Sequence, residues 1–227
     1  MHQLVSVPID SIALEGNLAI PNRPLGIVLF AHGSGSGRHS PRNQLVAKAL
    51  NDGRIATLLV DLLTEDEEQI DVQTRHLRFD VPLLADRLVG AIDWLETHDA
   101  TRALPLGLFG ASTGAGAALI AAVSRPTRVK AIVSRGGRPD LADQAIPAVV
   151  APTLLIVGGR DDVVIALNQM TLDQLRCEKH LQIVPSATHL FEEPGTLERV
   201  AALARDWFNM YLTRNLPVTT AQQRELP

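Results

Sequence analysis

The chain of 227 residues contains a single cysteine, Cys177, and aromatic residues make up only 4% of it. One cysteine excludes an internal disulfide and a metal site built from cysteines alone, and it fits a reducing compartment. No apolar run reaches the roughly 18 residues that a membrane helix requires, and the N-terminus lacks a basic start followed by an apolar stretch. We therefore expect a soluble, cytoplasmic protein with no membrane partner.

Clusters of basic residues are also missing. The 21 lysines and arginines are outnumbered by 25 acidic residues, which gives a net charge of −4. Nucleic acid is therefore not expected as a partner, because a phosphate backbone requires a basic surface. The content of 46% hydrophobic and 20% charged residues is that of a globular protein, and the length suits one domain. We predict a single domain over residues 1–213 and a flexible tail over 214–227.

Short apolar runs alternate with stretches of helical periodicity. Runs at 4–9 and 16–20 suggest an antiparallel hairpin, and six later runs suit strands buried on both faces: 26–31, 55–60, 105–110, 129–134, 152–158 and 181–185. Helices are predicted at 43–51, 81–97, 113–124, 163–175 and 196–212. This alternation predicts an α/β fold, a mostly parallel sheet with helices on both faces.

The longest polar interval, residues 64–80, carries the acidic run TEDEE. It predicts a surface loop whose charges are solvated, and a role as a lid is left open.

Ser112 lies in the segment GASTG, directly after an apolar run and before a helical one. This matches G-x-S-x-G, in which a nucleophilic serine occupies a tight strand-to-helix turn and small residues must flank it. Gly110 and Gly114 meet that demand. The alternative is that Ser112 only caps the helix, since serine is among the best N-caps. The pattern by itself leaves both readings open.

Two later segments supply partners for a serine nucleophile. The run at 152–158 ends in GGRDD, and the run at 181–185 is followed by His189. A serine needs a base that a third group orients, and the order Ser, Asp, His after successive strands is that of the α/β-hydrolases. We predict Asp161 as the acid and His189 as the base, with Asp162 as the cap of the following helix.

The segment AHGSGSGRHS follows the central strand and is rich in glycine. Backbone N–H groups there, with that of the residue after the nucleophile, form the oxyanion hole of such enzymes. We assign the N–H groups of Ser34 and Thr113 to it and expect His32 to orient the loop. The phosphate-binding patterns G-x-x-x-x-G-K-[ST] and G-x-G-x-x-G are absent. No metal and no organic cofactor is expected.

Together, GLFGASTGAGAAL, FAHGSGSGRHSPRN, VGGRDD and ATHLFEEPGTLE resemble the dienelactone hydrolase-like branch of the α/β-hydrolases, and in particular the hydrolase module that some bacteria fuse to a phosphoribosyltransferase. The resemblance covers residues 25–207. It implies about eight strands, a minimal lid and the triad Ser112, Asp161 and His189. Dienelactone hydrolases proper carry cysteine where Ser112 stands, and no phosphoribosyltransferase segment is present.

Four arginines follow strands near the expected site: Arg38, Arg42, Arg135 and Arg138. Guanidinium groups pair with planar anions, so we hypothesise that they bind a carboxylate or phosphate of the substrate. The alternative is that they brace loops through ion pairs with Asp140, Glu192 or Glu193.

The sequence thus predicts a serine hydrolase that cleaves a small carboxylic ester or lactone through an acyl-Ser112 intermediate. Acyl transfer or perhydrolysis with the same triad is the alternative reaction, and a non-enzymatic binding module is the alternative class. A homodimer is left open.

Overall fold

A computed structural model describes residues 2–214 of the chain. Its centre is one eight-stranded sheet in the order β1-β2-β4-β3-β5-β6-β7-β8, in which β1, β2 and β4 pair antiparallel and β3 to β8 pair in parallel. The strands are β1 His2–Ile9, β2 Ile12–Ala19, β3 Gly26–Ala31, β4 Ile55–Val60, β5 Leu106–Ala111, β6 Val129–Arg135, β7 Thr153–Gly158 and β8 Lys179–Val184. This confirms the mostly parallel sheet and its opening hairpin.

The described chain has six α-helices: α1 Pro41–Asp52, α2 Glu65–Thr74, α3 Val81–Thr97, α4 Thr113–Ser124, α5 Asp162–Gln174 and α6 Thr196–Leu212. All but α2 pack on the sheet. Helices α3, α4 and α6 have the predicted bounds. Helix α1 begins two residues early, because the Ser40 hydroxyl caps it and Pro41 opens its first turn. Two 3₁₀ helices, Leu77–Phe79 and Pro139–Ala148, had no predicted counterpart.

The core forms two apolar layers, one on each face of the sheet. Helices α3 and α4 pack on one face, with Leu88 and Ala117 completely buried, and α1 and α6 pack on the other, with Leu50 and Phe208 buried. Every residue of β3, β4, β5 and β7 is buried. The continuous apolar runs therefore arise from burial on both faces, and the carboxyl ends of β3, β5, β6 and β7 meet at one edge.

The prediction of a loop at residues 64–80 is wrong. Helix α2 begins with a capping box, in which Thr64 and Glu67 each bind the other's backbone N–H through their side chains. The buried Asp71 carboxylate accepts the N–H groups of Leu77 and Arg78 and pairs with the Arg78 guanidinium. Hydrogen bonds and an ion pair thus order this segment. A prediction from apolar periodicity misses such bonds because it considers only the spacing of apolar residues.

Of the predicted tail, residues 215–227 lie outside the described part of the chain. Within residues 2–214, no helix combines the length and the apolar character needed to span a membrane.

A substitution at Gly114 tests how tightly the turn around Ser112 is packed. A methyl group there would overlap the Ala31 carbonyl oxygen and lie 2.5 Å from that of His32, and backbone cannot yield as a side chain can. We expect Gly114→Ala to lower the free energy of unfolding by about 3 kcal/mol or more. Gly53→Ala is the control, since a methyl there meets mainly the flexible Arg205 side chain. Urea unfolding of both variants measures the difference, and equal midpoints would contradict the packing.

Candidate active site

Ser112 sits at the corner between β5 and α4. Its φ of 50° and ψ of −125° are unfavourable for a residue with a side chain, and such strain is characteristic of functional turns. The Ser112 side chain does not cap α4, so the capping alternative is wrong. Its hydroxyl has no hydrogen-bond partner among residues 2–214 and is free to act.

Asp161 and His189 are brought together across 28 residues of sequence. His189 Nδ1 lies 2.6 Å from Asp161 Oδ2, and in the neutral ring with its hydrogen on Nδ1 this is a donated bond that makes Nε2 the acceptor nitrogen. The turns that carry them are joined by backbone bonds, from Gly159 N–H to Val184 O and from Arg160 N–H to Ala187 O, both 2.9 Å. The acid and the base are therefore held by adjacent strands, β7 and β8.

Asp162 does not cap α5 as predicted. It is the first residue of the helix, Asp161 occupies the N-cap position, and the Asp161 side chain makes no capping bond. The Asp161 carboxylate is thereby available to the imidazole.

The loop after β6 brings His189 to the same edge as Ser112. A Cβ at Gly136 would lie 2.9 Å from the His189 carbonyl oxygen and 3.7 Å from its ring, so the His189 loop rests directly on this glycine. Strand β6 pairs with β5, and the Ser112 N–H donates to the Arg135 carbonyl over 3.4 Å. No hydrogen bond joins Ser112 to His189 in the described chain, and such bonds are often long without a ligand.

The His32 side chain anchors the predicted oxyanion loop through two hydrogen bonds. Its Nδ1–H donates to the Gly33 carbonyl over 3.0 Å, and its Nε2 accepts the Leu62 N–H over 2.9 Å. Burial lowers the pKa of the His32 imidazole, which keeps the ring neutral and suits this pattern of one donor and one acceptor. His32 thus ties the loop to the end of β4.

The two predicted oxyanion donors differ in their surroundings. The Thr113 N–H, at the start of α4, has no acceptor among the described residues. The Ser34 N–H donates to the Thr113 hydroxyl over 3.1 Å, so it is already engaged. The loop and the helix N-terminus are nevertheless in direct contact beside Ser112.

Two of the four arginines are neutralised by carboxylates. Arg38 pairs with both Asp61 and Glu15, and Arg138 binds both carboxylate oxygens of Asp140. Arg138 thus has the predicted partner Asp140, whereas Arg38 is paired with two carboxylates that the ion-pair alternative did not name.

Arg135 and Arg42 are different. Arg135 is only 6% exposed, yet within the described chain its side chain meets no carboxylate, and its one hydrogen bond runs to the Asn43 amide oxygen over 3.0 Å. Burial and the nearby Arg42 lower the pKa of Arg135 to about 10. Arg42 lies 3.7 Å from Glu192, one of the carboxylates that the ion-pair alternative named. A buried, uncompensated cation is costly and often marks a binding site.

Clefts of about 940 and 480 Å³ flank the oxyanion loop. Gly35 lines both clefts, and Glu68 and Val72 of α2 form part of the opposite wall of each. The segment predicted as a loop therefore borders these clefts, neither of which is lined by Ser112, Asp161 or His189.

A family model described as an alpha/beta hydrolase domain matches residues 25–202. The chain belongs to the α/β-hydrolase family. A crystal structure of a dienelactone hydrolase from Anabaena variabilis is 61% identical to this hydrolase, with a TM-score of 0.92, covering 93% of this chain and 98% of that one. The resemblance to the dienelactone hydrolase-like branch is thereby confirmed.

Other relatives extend the comparison. Proteins from two strains of Mycobacterium tuberculosis, whose name describes them as phosphoribosyl transferases, are 56% identical over 204 residues. The match covers 90% of this chain and 45% of theirs, so the hydrolase spans about half their length. A serine hydrolase without lid from Xanthomonas campestris is 20% identical with a TM-score of 0.74, covering 95% of this chain and 97% of that one, and shows the shared fold.

The buried His32 makes the stability of the hydrolase depend on pH. Folding lowers the pKa of the His32 imidazole from the ordinary value of 6.5. Below pH 6.5 the imidazole therefore binds a proton in the unfolded chain but not in the folded chain. Above pH 6.5 the His32 ring is neutral in both states and does not lower the free energy of unfolding. Below pH 6.5 that free energy decreases by up to about 1.4 kcal/mol per pH unit. Nitrogen-detected NMR should show a neutral, Nδ1-protonated ring at pH 6, assigned with His32→Gln. A ring that titrates at 6.5 or above would contradict this.

Proposed function

We propose that the chain hydrolyses a small carboxylic ester or lactone, with Ser112, His189 and Asp161 as a catalytic triad. The observation that carries this proposal is the 2.6 Å bond from the His189 Nδ1–H to Asp161. It fixes the tautomer whose Nε2 can accept a proton, at the sheet edge that carries the free Ser112 hydroxyl. An imidazole oriented by a carboxylate is what a serine requires to become a nucleophile.

In the first half of the reaction, His189 Nε2 takes the proton of Ser112 as Oγ attacks the ester carbonyl. The electron pair of the C=O bond moves to oxygen, where the Thr113 N–H and the positive end of α4 stabilise it. Asp161 stabilises the imidazolium. When the tetrahedral intermediate collapses, the C–O bond to the alcohol breaks and the alcohol leaves with the proton from His189.

In the second half, His189 takes a proton from water as the water attacks the acyl-Ser112 carbonyl. Collapse of the second intermediate releases the acid and returns the proton to Ser112. An alcohol or hydrogen peroxide in place of water would give acyl transfer or perhydrolysis, so these remain the alternative reactions of the same site.

The single cysteine does not take the nucleophile's place. Cys177 precedes β8, where its thiol faces the Thr153 hydroxyl at 3.8 Å, and burial raises the pKa of the thiol. Reactive cysteines have a lowered pKa, so the serine form of the site is the one proposed.

The neighbours support an ester substrate. They include proteins named as a dienelactone hydrolase, an esterase domain from Rhodothermus marinus and Est1E of Butyrivibrio proteoclasticus with ferulic acid bound. We propose a small-molecule ester or lactone as the partner of this chain. A cytoplasmic location and the absence of a nucleic-acid partner stay predictions, and a homodimer stays open.

Ser112→Ala tests the nucleophile. On a panel of p-nitrophenyl esters we expect kcat to fall by about 10⁶-fold, and Asp161→Asn to cost about 10⁴-fold through loss of the productive tautomer. Ser124→Ala, at the far end of α4, is the control and should retain activity. A fluorophosphonate should add mass to Ser112 of the wild type only. Absence of both turnover and labelling would favour the non-enzymatic binding module.

We further propose that Arg135, with Arg42 beside it, binds an anionic group of the substrate. An anion would supply the charge compensation that Arg135 lacks, whereas Arg38 and Arg138 already have their carboxylates.

Arg135→Gln should therefore lower kcat/KM for an ester with a free carboxylate by about 10-fold or more, the value of a charged contact, and change a neutral ester much less. Arg125→Gln, which breaks an ion pair with Asp93 far from Ser112, is the control for general destabilisation. An equal loss on both esters would reject anion binding.

A further inference from the structure

We propose that the Thr113 side chain, as well as its backbone N–H, is an oxyanion donor, and that the Ser34 N–H acts through it rather than directly. This role rests on the proposed function. The hydroxyl would accept from the Ser34 N–H and donate its own hydrogen to the oxygen that becomes negative when Ser112 attacks.

The first step of the argument is the bond between the two segments. The Ser34 N–H donates to Thr113 Oγ1 over 3.1 Å, although 79 residues separate them in sequence. A backbone N–H whose hydrogen is directed at this hydroxyl is not aimed at a substrate oxygen. The loop therefore reaches the reacting carbonyl through the threonine.

The second step is the hydrogen of the hydroxyl itself. A hydroxyl has one donor and two acceptor positions, and Ser34 occupies one of the latter. Thr113 is 5% exposed, and within residues 2–214 no acceptor is found for its hydrogen. A nearly buried donor without a partner is unfavourable unless a ligand completes it, and here the adjoining group is the nucleophile, Ser112.

The third step is that the loop has little freedom to turn the Ser34 N–H elsewhere. A Cβ at Gly33 would lie 2.9 Å from the Ser112 Cβ, so the loop backbone presses against the nucleophile. On its other side, the His32 ring holds the Gly33 carbonyl and the Leu62 N–H. The arrangement from Ser34 to Thr113 is thus a fixed relay that is ready before substrate binds, which is the condition for effective electrostatic stabilisation.

The composition of α4 agrees with this role. Its first turns read TGAGAA, and every residue from Thr113 to Leu119 is buried. Valine has the shape of threonine and would fill the same space, so packing alone does not require a hydroxyl at position 113. The hydroxyl of Thr113 is instead explained by its bonds, from the Ser34 N–H and to the oxyanion.

The test compares Thr113→Val, which removes the hydroxyl, with Thr113→Ser, which keeps it. On a neutral ester, we expect Val to lower kcat by about 10²-fold, the usual effect of losing one oxyanion donor, while KM changes by less than about threefold. Ser should return kcat to within about threefold of the wild type.

A trifluoromethyl ketone supplies a second readout. Ser112 adds to its carbonyl, the electron pair moves to oxygen, and the proton passes to His189, so the adduct carries the oxyanion. Its Kd should weaken about 10²-fold in Thr113→Val and little in Thr113→Ser. Thr101→Val is the matched control: it removes a completely buried hydroxyl that binds the Leu95 carbonyl far from the site, and it should lower stability without lowering kcat.

Several outcomes would overturn the role. If Thr113→Val keeps kcat within twofold, the Ser34 N–H serves the oxyanion directly and the hydroxyl is dispensable, while Ser112 remains the nucleophile. If Val and Ser lose activity equally, the hydroxyl is not the donor. A wild type without turnover and without ketone binding would instead overturn the proposed function, and this inference with it.

Discussion

The close approach of three backbone segments around Ser112 is the constraint on which the site depends. The strand-to-helix turn places Ser112 at a positive φ, the backbone of Gly33 lies against Ser112, and the Ala31 and His32 carbonyls lie against Gly114 of α4. With no side chain at these glycines, the loop after β3 and the N-terminus of α4 lie against each other. The hydroxyl of Ser112 and the N–H and hydroxyl of Thr113, which the Ser34 N–H contacts, are thereby gathered into one small volume, where a developing negative charge would meet more than one donor.

Charge is distributed unevenly around this volume. The Asp161 carboxylate is used by the His189 imidazole, His32 is held neutral by burial, and Arg38 and Arg138 are neutralised by carboxylates. Arg135 is the exception in the described chain, since it is buried with only the Asn43 amide for a partner. Arg135 ends the strand beside β5 and reaches Asn43 of α1, and within residues 2–214 no carboxylate forms an ion pair with it. A substrate with an anionic group would complete that balance.

The segment from α2 to the 3₁₀ helix Leu77–Phe79 connects the fold to the shape of the site. It is ordered by a capping box and by the buried pair of Asp71 with Arg78, and it walls the clefts beside the oxyanion loop. Val72 and Phe79 are more than half exposed there, on a surface that adjoins the smaller cleft.

The sequence by itself determined the layers of the fold and the order of the chemical groups. Strands buried on both faces leave continuous apolar runs, glycines mark the tight turns, and residues after parallel strands converge on one edge, so the pairing of Asp161 with His189 followed from position along the chain. Tertiary structure decided what depends on distances between remote side chains. It showed that Arg38 is neutralised and Arg135 is not, that the Ser34 N–H meets the Thr113 hydroxyl, and that Asp71 orders a segment with no apolar stripe. Periodicity records which face of an element is buried, whereas a hydrogen bond or an ion pair depends on where two distant backbones place their side chains, and no local pattern contains that information.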